Sequence, residues 1–362
     1  MDFGLSQDQV LLKETIRRWL EAECPTARVR AVMESETGHD ARLWEGLAEL
    51  GVPGLLVPTA HEGSGLELLD AALAAEELGW CCTPGPFLGC ALATTALVAT
   101  GNHAAAARWL PAIARGSAVV TLALGEEGDE WDAARLTTRA NAGALTGRKP
   151  LVPYATVADA ILVAAQDGDG PGLWLVERGA RGLAVTSLSA TDMTRRVAAI
   201  ELEGTPATKI AAGRAAIDRA RDAGLVLLAA DAYGGARRCV EMTVKYALTR
   251  EQFGQPIGSF QAVKHQLADL AADLDPALSL WWYAAHAHDH IPERAERHAA
   301  IAKAHLTDLY DRVTRVTTEL HGGIGFTWEY DLHLWFRRAV FDRAFLGGAE
   351  YHRLRAADLA GW

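Results

Sequence analysis

Hydrophobic positions along the first third of the chain recur with the spacing of amphipathic helices. Ser6 and Gln9 fit a capping box, and apolar side chains then follow at helical spacing from Val10 to Leu20. Further helices are predicted over residues 40–50, 66–82, 86–100 and 104–115. Residues 1–115 are therefore expected to form an all-α domain.

The pattern changes near Gly116 to short runs that favour Val, Thr and Leu and are separated by Gly, Asp or Asn. Runs of this kind are typical of successive β-strands. Seven strands are predicted, over residues 118–125, 134–140, 144–153, 159–166, 172–178, 183–188 and 197–204. So many short strands in one stretch favour a small barrel or sandwich, which we assign to residues 116–212.

Helical spacing returns after Gly213 and continues to the end of the chain. Long helices are predicted over residues 214–248, 259–288, 294–321 and 330–359. Four helices of this length pack as a bundle, so residues 213–362 are expected to form a four-helix domain. The fold class is mainly α, with domains in the order α, β, α.

Composition narrows the functional classes. The formal net charge of −11 argues against a general nucleic-acid binder. No apolar run reaches the roughly 18–20 residues of a membrane helix, and the N-terminus does not have the pattern of a signal peptide. The five cysteines contain no CxxC pair, which favours reduced thiols in a cytoplasmic protein.

Several common site patterns are missing from the sequence or are weak. It contains no GxGxxG after a strand, no P-loop, no HExxH and no GxSxG. Of the three histidines in HAHDH (286–290), only His286 and His290 would share a helix face, so we predict a solvated helix end and no metal site. The arginine pairs at 195–196 and 337–338 are predicted to be surface charges.

The most specific stretch is YALTREQFGQPIGSFQAVKHQLADL (246–270). It predicts a helix that ends near Arg250, a Gly-Pro turn, and a second helix that Ser259 can cap. Arg250 could clamp a diphosphate, Phe253 offers a ring face, and Gln261 lies at a helix N-terminus, where anions are favoured. The alternative is a plain helix hairpin with a solvated arginine.

A second stretch, ELHGGIGFTWEYDLHLWFRRA (319–339), contains a glycine-rich break between two helices. Gly322, Gly323 and Gly325 allow a positive φ or a close backbone approach to a ligand's phosphate or ribose. An ordinary helix–helix turn is the alternative, because GGxG alone is weak evidence.

Together these stretches resemble the acyl-CoA dehydrogenase family over essentially the whole chain. EELG (76–79), GVPGLLVP (51–58) and GRKPLVP (147–153) resemble other parts of the family pattern. The resemblance implies an N-terminal helical domain, a middle β domain and a C-terminal four-helix bundle. It also implies FAD bound between subunits and α,β-dehydrogenation of an acyl-CoA thioester.

The resemblance further implies which residues meet the cofactor and what the reaction requires. Arg250, Gln252, Phe253 and Gln261 are expected to meet the diphosphate and adenosine of FAD. Contacts with the FAD adenosine of a neighbouring subunit are expected at Glu319, Gly322 and Gly323. The α-proton beside a thioester is weakly acidic, so the family removes it with a desolvated carboxylate while hydride leaves the β-carbon for the flavin.

The sequence departs from the family at the base. Leu346 in AFLGGAEYHR (344–353) occupies the usual glutamate position, and Gly224 occupies the position used by a second subgroup. Asp222 matches a position that contacts substrate. Asp231 lies seven residues after Gly224 on nearly the same helix face, which makes it our candidate base. The alternative is that Asp231 is a structural helix acid.

The β domain also departs, because Leu151-Val152-Pro153 stands where Trp-Ile-Thr usually meets the flavin, and Pro153 has no N–H to donate. Such losses resemble the smaller subunits of actinobacterial α₂β₂ enzymes that act on steroid side chains. We therefore expect a homo- or hetero-tetramer with a paralogous subunit and electron transfer to an electron-transferring flavoprotein. A catalytically incomplete scaffold subunit is the alternative, and a carrier-protein thioester is a third possibility.

Overall fold

The structure is a computed structural model that describes residues 4–128 and 130–362. Helices precede and follow a central β-sheet region, in the order predicted from the sequence. The fold class of the acyl-CoA dehydrogenase resemblance, with helical N-terminal and C-terminal parts around a sheet, is therefore confirmed.

The N-terminal helices follow the predicted periodicity closely. They are α1 (Gln7–Glu23), α2 (Thr26–Glu34), α3 (Ala41–Glu49), α4 (Leu68–Trp80), α5 (Phe87–Thr100) and α6 (His103–Ala114). The predicted capping box is present, with the Ser6 hydroxyl accepting from the Gln9 N–H and the Gln9 side chain accepting from the Ser6 N–H. Helix α2 was not predicted.

Eight strands form one mixed sheet. They are β1 (Val120–Ala123), β2 (Arg139–Asn141), β3 (Ala144–Pro153), β4 (Ala160–Asp167), β5 (Gly170–Glu177), β6 (Leu183–Ser187), β7 (Val197–Pro206) and β8 (Thr208–Ala212). Their order is β6-β7-β3-β2-β4-β5-β8, and β1 pairs in parallel with β4. Strand β8 was not predicted, and the predicted strand at 134–140 is mostly a 3-10 turn and a loop that lead into β2.

The C-terminal part contains α7 (Ala215–Thr249), α8 (Gln261–His290), α9 (Pro292–His321), α10 (Leu332–Ala344) and α11 (Ala349–Asp358). A two-stranded hairpin of β9 (Glu251–Gln252) and β10 (Gln255–Pro256) lies between α7 and α8. The prediction of one helix over 330–359 is wrong. The chain leaves the helical conformation after Ala344, because Leu346 and Gly347 have positive φ angles of 62° and 100°.

The described chain divides into two compact units. Of the described residues, unit 1 comprises 4–30, 72–83 and 225–362, and unit 2 comprises 31–71, 84–128 and 130–224. Unit 1 is helical, apart from the β9–β10 hairpin, and unit 2 holds the eight-stranded sheet with α3, α5 and α6. Among the residues described, no helix is both long and apolar enough to span a bilayer.

In unit 2, α5 packs closely on the sheet. Its residues from Phe87 to Leu97 are all buried. Gly89 makes this approach possible, because a Cβ added there would lie 2.7 Å from the Thr121 Oγ1 in β1.

In unit 1, α4 and α7 cross through small residues. A Cβ added at Gly79 would overlap the backbone oxygen of Asp231, and one added at Gly234 would overlap the backbone oxygen of Glu76. The close approach of α4 and α7 therefore depends on glycine at both positions. Trp281 is fully buried in this unit.

Candidate functional site

The hairpin after α7 places the predicted cofactor side chains on an exposed surface of unit 1. We define the Arg250 hairpin as residues 250–256. Gln252 pairs with Gln255, and the two residues between them, Phe253 and Gly254, have positive φ angles of 55° and 77°. A two-residue loop with both φ angles positive is a type I′ hairpin turn, which rarely accepts an aromatic residue.

The side chains of this hairpin face solvent. The Phe253 ring is 93% exposed, and Arg250, Gln252 and Gln261 are also exposed. An exposed aromatic residue with a positive φ angle costs stability, so its presence here indicates a ligand-binding surface. The prediction that Ser259 caps α8 is wrong, because its hydroxyl donates to the Pro256 oxygen at 2.7 Å.

A second exposed surface lies at the end of α9. We define the glycine turn as the 3-10 segment Gly322–Phe326. Gly322 has φ +64°, and a Cβ added at Gly322 or Gly323 would meet no atom within 4 Å. Gly325 is different, because its Cβ would lie 2.6 Å from the Thr318 oxygen. The turn therefore folds back on α9 and leaves an open, side-chain-free backbone at its start.

Three aromatic residues missed by the sequence interpretation join these two surfaces within unit 1. The rings of Tyr246 and His321 stack with centroids 4.3 Å apart, and the Tyr246 hydroxyl donates to the His321 oxygen at 3.3 Å. The His321 Nε2 lies 2.9 Å from the Tyr330 hydroxyl. The sequence indicates these residues only through their closeness to the predicted cofactor residues. Tyr246 precedes Arg250 by one helical turn, and His321 directly precedes Gly322.

Two buried side chains hold the segment that carries Leu346 through hydrogen bonds to its backbone oxygens. The Lys303 Nζ donates to the oxygens of Arg343 and Gly347, at 3.2 and 3.0 Å, and the His352 Nε2 donates to the Leu346 oxygen at 2.8 Å. Lys303, Leu346 and His352 are all almost completely buried. The loop between α10 and α11 is thus fixed, and an apolar side chain stands at its centre.

Burial lowers the pKa of Lys303 from 10.5 to about 7, with Asp342 opposing part of this change. Between about pH 7 and 10.5 the unfolded chain binds more protons than the folded chain, so the free energy of unfolding rises with pH. Burial lowers the pKa of Lys149 to about 8, which acts in the same direction.

We expect Lys303→Met to reduce this rise in stability with pH, because it removes one of the two buried lysines. Urea unfolding at pH 7.5 and 9.5 measures the change in the free energy of unfolding between the two pH values. The exposed Lys264 provides the control variant Lys264→Met, which should leave the dependence unchanged. If the free energy of unfolding rises with pH as steeply in Lys303→Met as in the wild type, the lowered pKa of Lys303 is contradicted.

Asp231 lies in the interior of unit 1, paired with an arginine. Its Oδ1 is 3.6 Å from the Nη1 of Arg338, and the two side chains are 2% and 0% exposed. Arg338 also donates to the oxygens of Leu78 and Thr83, at 3.3 and 2.8 Å. The prediction that Arg338 is a surface charge is therefore wrong. These contacts favour the structural alternative for Asp231, while its role as base stays a prediction.

Comparison with known proteins identifies the family. Residues 6–117 match the acyl-CoA dehydrogenase N-terminal domain, and residues 212–360 match the acyl-CoA dehydrogenase C-terminal domain. The acyl-CoA dehydrogenase IpdE2 of Mycolicibacterium smegmatis is 33% identical over 344 residues, which cover 95% of this chain and 96% of the relative. The chain belongs to the acyl-CoA dehydrogenase family.

Solved structures of the family agree over the full length. A variant of the Tcur3481-Tcur3483 steroid ACAD is 32% identical, with a TM-score of 0.90 and 98% of each chain covered. The ChsE4-ChsE5 complex of Mycobacterium tuberculosis is 28% identical, with a TM-score of 0.92, and covers 100% of this chain and 99% of that one. Acyl-CoA dehydrogenases are FAD-dependent oxidoreductases that act on CH–CH bonds.

Unit 1 of this acyl-CoA dehydrogenase fits one end of FAD. The exposed guanidinium of Arg250 suits a diphosphate, and the Phe253 ring suits an adenine face. The open backbone at Gly322 and Gly323 is a cradle that any Cβ would narrow, and the exposed Glu319 lies one turn before it. These residues together stay the predicted cofactor set.

In unit 2, the strand that would face the flavin in the family offers no donor at one position. Pro153 ends β3, is buried, and pairs with Val197 of β7.

The same unit contains a buried ion pair that the sequence interpretation missed, in which the Lys149 Nζ lies 2.7 Å from the Glu126 carboxylate. Glu126 also accepts from the Thr138 N–H at 3.1 Å. This pair fixes the segment after β1.

Asp222, the predicted substrate contact, is engaged by a neighbouring arginine in unit 2. Its carboxylate lies 3.0 Å from the Arg221 guanidinium, which also pairs with Asp218 at 2.6 Å. Asp222 and Arg221 are both buried, so any contact of Asp222 with substrate would compete with this pair. The substrate role of Asp222 stays a prediction.

Other features of unit 1 do not coincide with the predicted site. His286 and His290 share a helix face with ring centroids 4.6 Å apart, and the described residues contain no group of three or more metal-ligating side chains. Concavities of about 360 and 280 Å³ lie along α9, and both include His305 and Arg353. No predicted cofactor residue lines either concavity, so we assign neither to FAD.

Proposed function

We propose that this chain is one subunit of a heteromeric, FAD-dependent acyl-CoA dehydrogenase that acts on the side chain of a steroid acyl-CoA thioester. The observation that carries the proposal is a contrast within unit 1. The Arg250 hairpin and the glycine turn are intact and exposed, whereas the usual glutamate position holds the buried Leu346. The predicted cofactor residues are present while the usual glutamate is absent, which suits a subunit that shares its site with a partner.

The similar proteins support both the assembly and the substrate class. Two of the solved structures are named as two-protein systems, and one of them is called a steroid ACAD. This chain matches each over essentially its whole length, so the same kind of assembly is compatible with the fold. A paralogous subunit is therefore the partner that we propose.

FAD, when bound, would accept hydride from the β-carbon of the thioester. The residues of this chain would hold its far end, with Arg250 and Gln252 on the diphosphate and Gln261 at the N-terminus of α8. Phe253 would cover the adenosine, and the glycine turn would approach it through bare backbone. Positioning of this kind is where the chain would contribute to catalysis.

Two sources of the base follow from the contacts. One is Asp231, which would have to leave its ion pair with Arg338 to accept a proton. The other is a carboxylate of the paralogous subunit, which we favour because the Asp231 carboxylate is almost completely buried and paired with Arg338. Asp231→Asn in the assembled enzyme separates them: loss of flavin reduction by acyl-CoA at full FAD content would support Asp231.

We test the function by co-expression with the paralogous subunit. The purified assembly is expected to be yellow and to bleach when a steroid side-chain acyl-CoA is added without oxygen. An electron-transferring flavoprotein should then restore the oxidised spectrum, and palmitoyl-CoA at the same concentration serves as the comparison substrate. A yellow assembly that no acyl-CoA bleaches would support the scaffold alternative, and bleaching by the straight-chain thioester alone would overturn the steroid assignment.

A further inference from the structure

The two predicted cofactor surfaces belong to segments that are far apart in sequence, yet a short series of contacts joins them. The Arg250 N–H donates to the Tyr246 oxygen at 2.8 Å, and the Ile257 N–H donates to the Arg250 oxygen at 2.8 Å. Tyr246 in turn contacts His321 through both its ring and its hydroxyl. The start of the hairpin is thus connected to the last residue of α9.

His321 occupies the centre of this arrangement and is 3% exposed. Its Nδ1 lies 2.7 Å from the Thr317 oxygen, which can only accept, so Nδ1 carries the proton. Burial lowers the pKa of His321, which keeps the ring neutral near pH 7. The neutral ring then has Nε2 as an acceptor, and the Tyr330 hydroxyl donates to it at 2.9 Å.

The tyrosines close the arrangement from two sides. Tyr246 comes from α7, whereas Tyr330 follows the glycine turn, and their ring centroids lie 6.1 Å apart in an edge arrangement. His321 therefore has one ring on its face and one hydroxyl at its edge, with its own helix behind it. The His321 carbonyl, which accepts from the Tyr246 hydroxyl, belongs to the peptide bond that leads into Gly322.

We infer that Tyr246, His321 and Tyr330 are positioning residues that hold the Arg250 hairpin and the glycine turn in one cofactor-binding surface. The inference rests on the proposed function, because that function supplies the cofactor. None of the three side chains needs to touch FAD. Each acts through a neighbour: Tyr246 through Arg250, His321 through Gly322, and Tyr330 through His321.

The test uses the co-expressed assembly and measures the dissociation constant of FAD after reversible removal of the cofactor. Tyr330→Phe deletes one hydroxyl and is expected to weaken FAD binding about fivefold, the loss of one part-buried hydrogen bond. His321→Phe keeps a ring beside Tyr246 but removes both hydrogen bonds, so we expect a weakening of about tenfold or more. The dissociation constant of the acyl-CoA should not change.

The chain provides a matched control in a second tyrosine–histidine pair. Tyr283 and His298 have ring centroids 4.5 Å apart, and the Tyr283 hydroxyl accepts from Arg294 at 3.2 Å. Tyr283→Phe removes a comparable hydroxyl away from both surfaces and should leave FAD affinity unchanged. If His321→Phe does not fold, Tyr246→Phe, which removes the hydroxyl bonded to the His321 oxygen, replaces it.

The outcomes separate the two proposals. Wild-type FAD affinity in Tyr330→Phe and in the His321 or Tyr246 variant would overturn the positioning role and leave the proposed function intact. Equal weakening of FAD and acyl-CoA would also overturn it, because general loosening of the fold would then explain both. A wild-type assembly that binds no FAD would overturn the proposed function and this inference together.

Discussion

Replacing Arg338 by methionine is expected to lower the free energy of unfolding by about 3–5 kcal/mol. Arg338 is fully buried, pairs with Asp231 and donates to the carbonyl oxygens of Leu78 and Thr83. Its removal leaves buried acceptors and a carboxylate without this cation, which is the costly way to break a buried ion pair. Urea unfolding at pH 7 measures the loss.

The neighbouring arginine provides a matched control for this substitution. Arg337 is partly exposed, with its guanidinium 5.1 Å from the Trp328 ring centroid, so Arg337→Met should cost no more than about 1 kcal/mol. Arg338→Met combined with Asp231→Asn should cost less than the sum of the two single substitutions. Additive losses, or a small loss in Arg338→Met, would contradict the ion pair as a structural element.

Gly234→Ala is expected to destabilise unit 1 by about 3 kcal/mol or to prevent folding. An added Cβ would overlap the backbone oxygen of Glu76 in α4, and a backbone atom cannot move away as a flexible side chain can. Helices α4 and α7 would have to separate, which would loosen the packing around the buried Glu76. The free energy of unfolding of the assembled protein measures this effect.

Gly168→Ala is the control, because Gly168 is exposed and a Cβ there would meet no atom within 4 Å. Its free energy of unfolding should stay within about 0.5 kcal/mol of the wild type. If Gly234→Ala is as stable as this control, the close helix crossing is not present in solution.

Most element types were predictable because local patterns encode them. The capping box at Ser6 and the long amphipathic repeats located the helices, and short runs that favour Val, Thr and Leu located the strands. The break in the last helix was not predictable, because Leu346 is a helix-forming residue that adopts a positive φ only when its surroundings fix it. Lys303 and His352 supply that fixation, and neither lies near Leu346 in a helical register.

The candidate site shows the same division. Arg250, Phe253 and Gly322 lie in motifs that a single stretch of sequence reveals, and all are exposed as cofactor contacts should be. Contacts between distant segments were not visible in the sequence. Arg338 follows another arginine and was interpreted as a surface charge, because nothing local indicates that Asp231 lies opposite it. His321 likewise gains its contacts with Tyr246 only when α7 and α9 come together.

The contacts also show what occupies each position where a base was expected. The position of the family glutamate is occupied by a buried leucine in a fixed loop, and Asp231, the nearest substitute suggested by the sequence, is paired inside unit 1. Asp222 is paired as well. What the chain exposes is the predicted set of cofactor residues, which supports the proposal that it acts as one subunit of a larger assembly.

The most direct measurement is the FAD content of the co-expressed assembly with and without Arg250→Gln in this chain alone. The substitution removes a charge-assisted contact to the diphosphate, so we expect FAD to bind at least tenfold more weakly, with the oligomer intact. Arg18→Gln, an exposed arginine on α1, is the control and should retain full FAD content. Equal FAD content in the Arg250→Gln and wild-type assemblies would contradict the account.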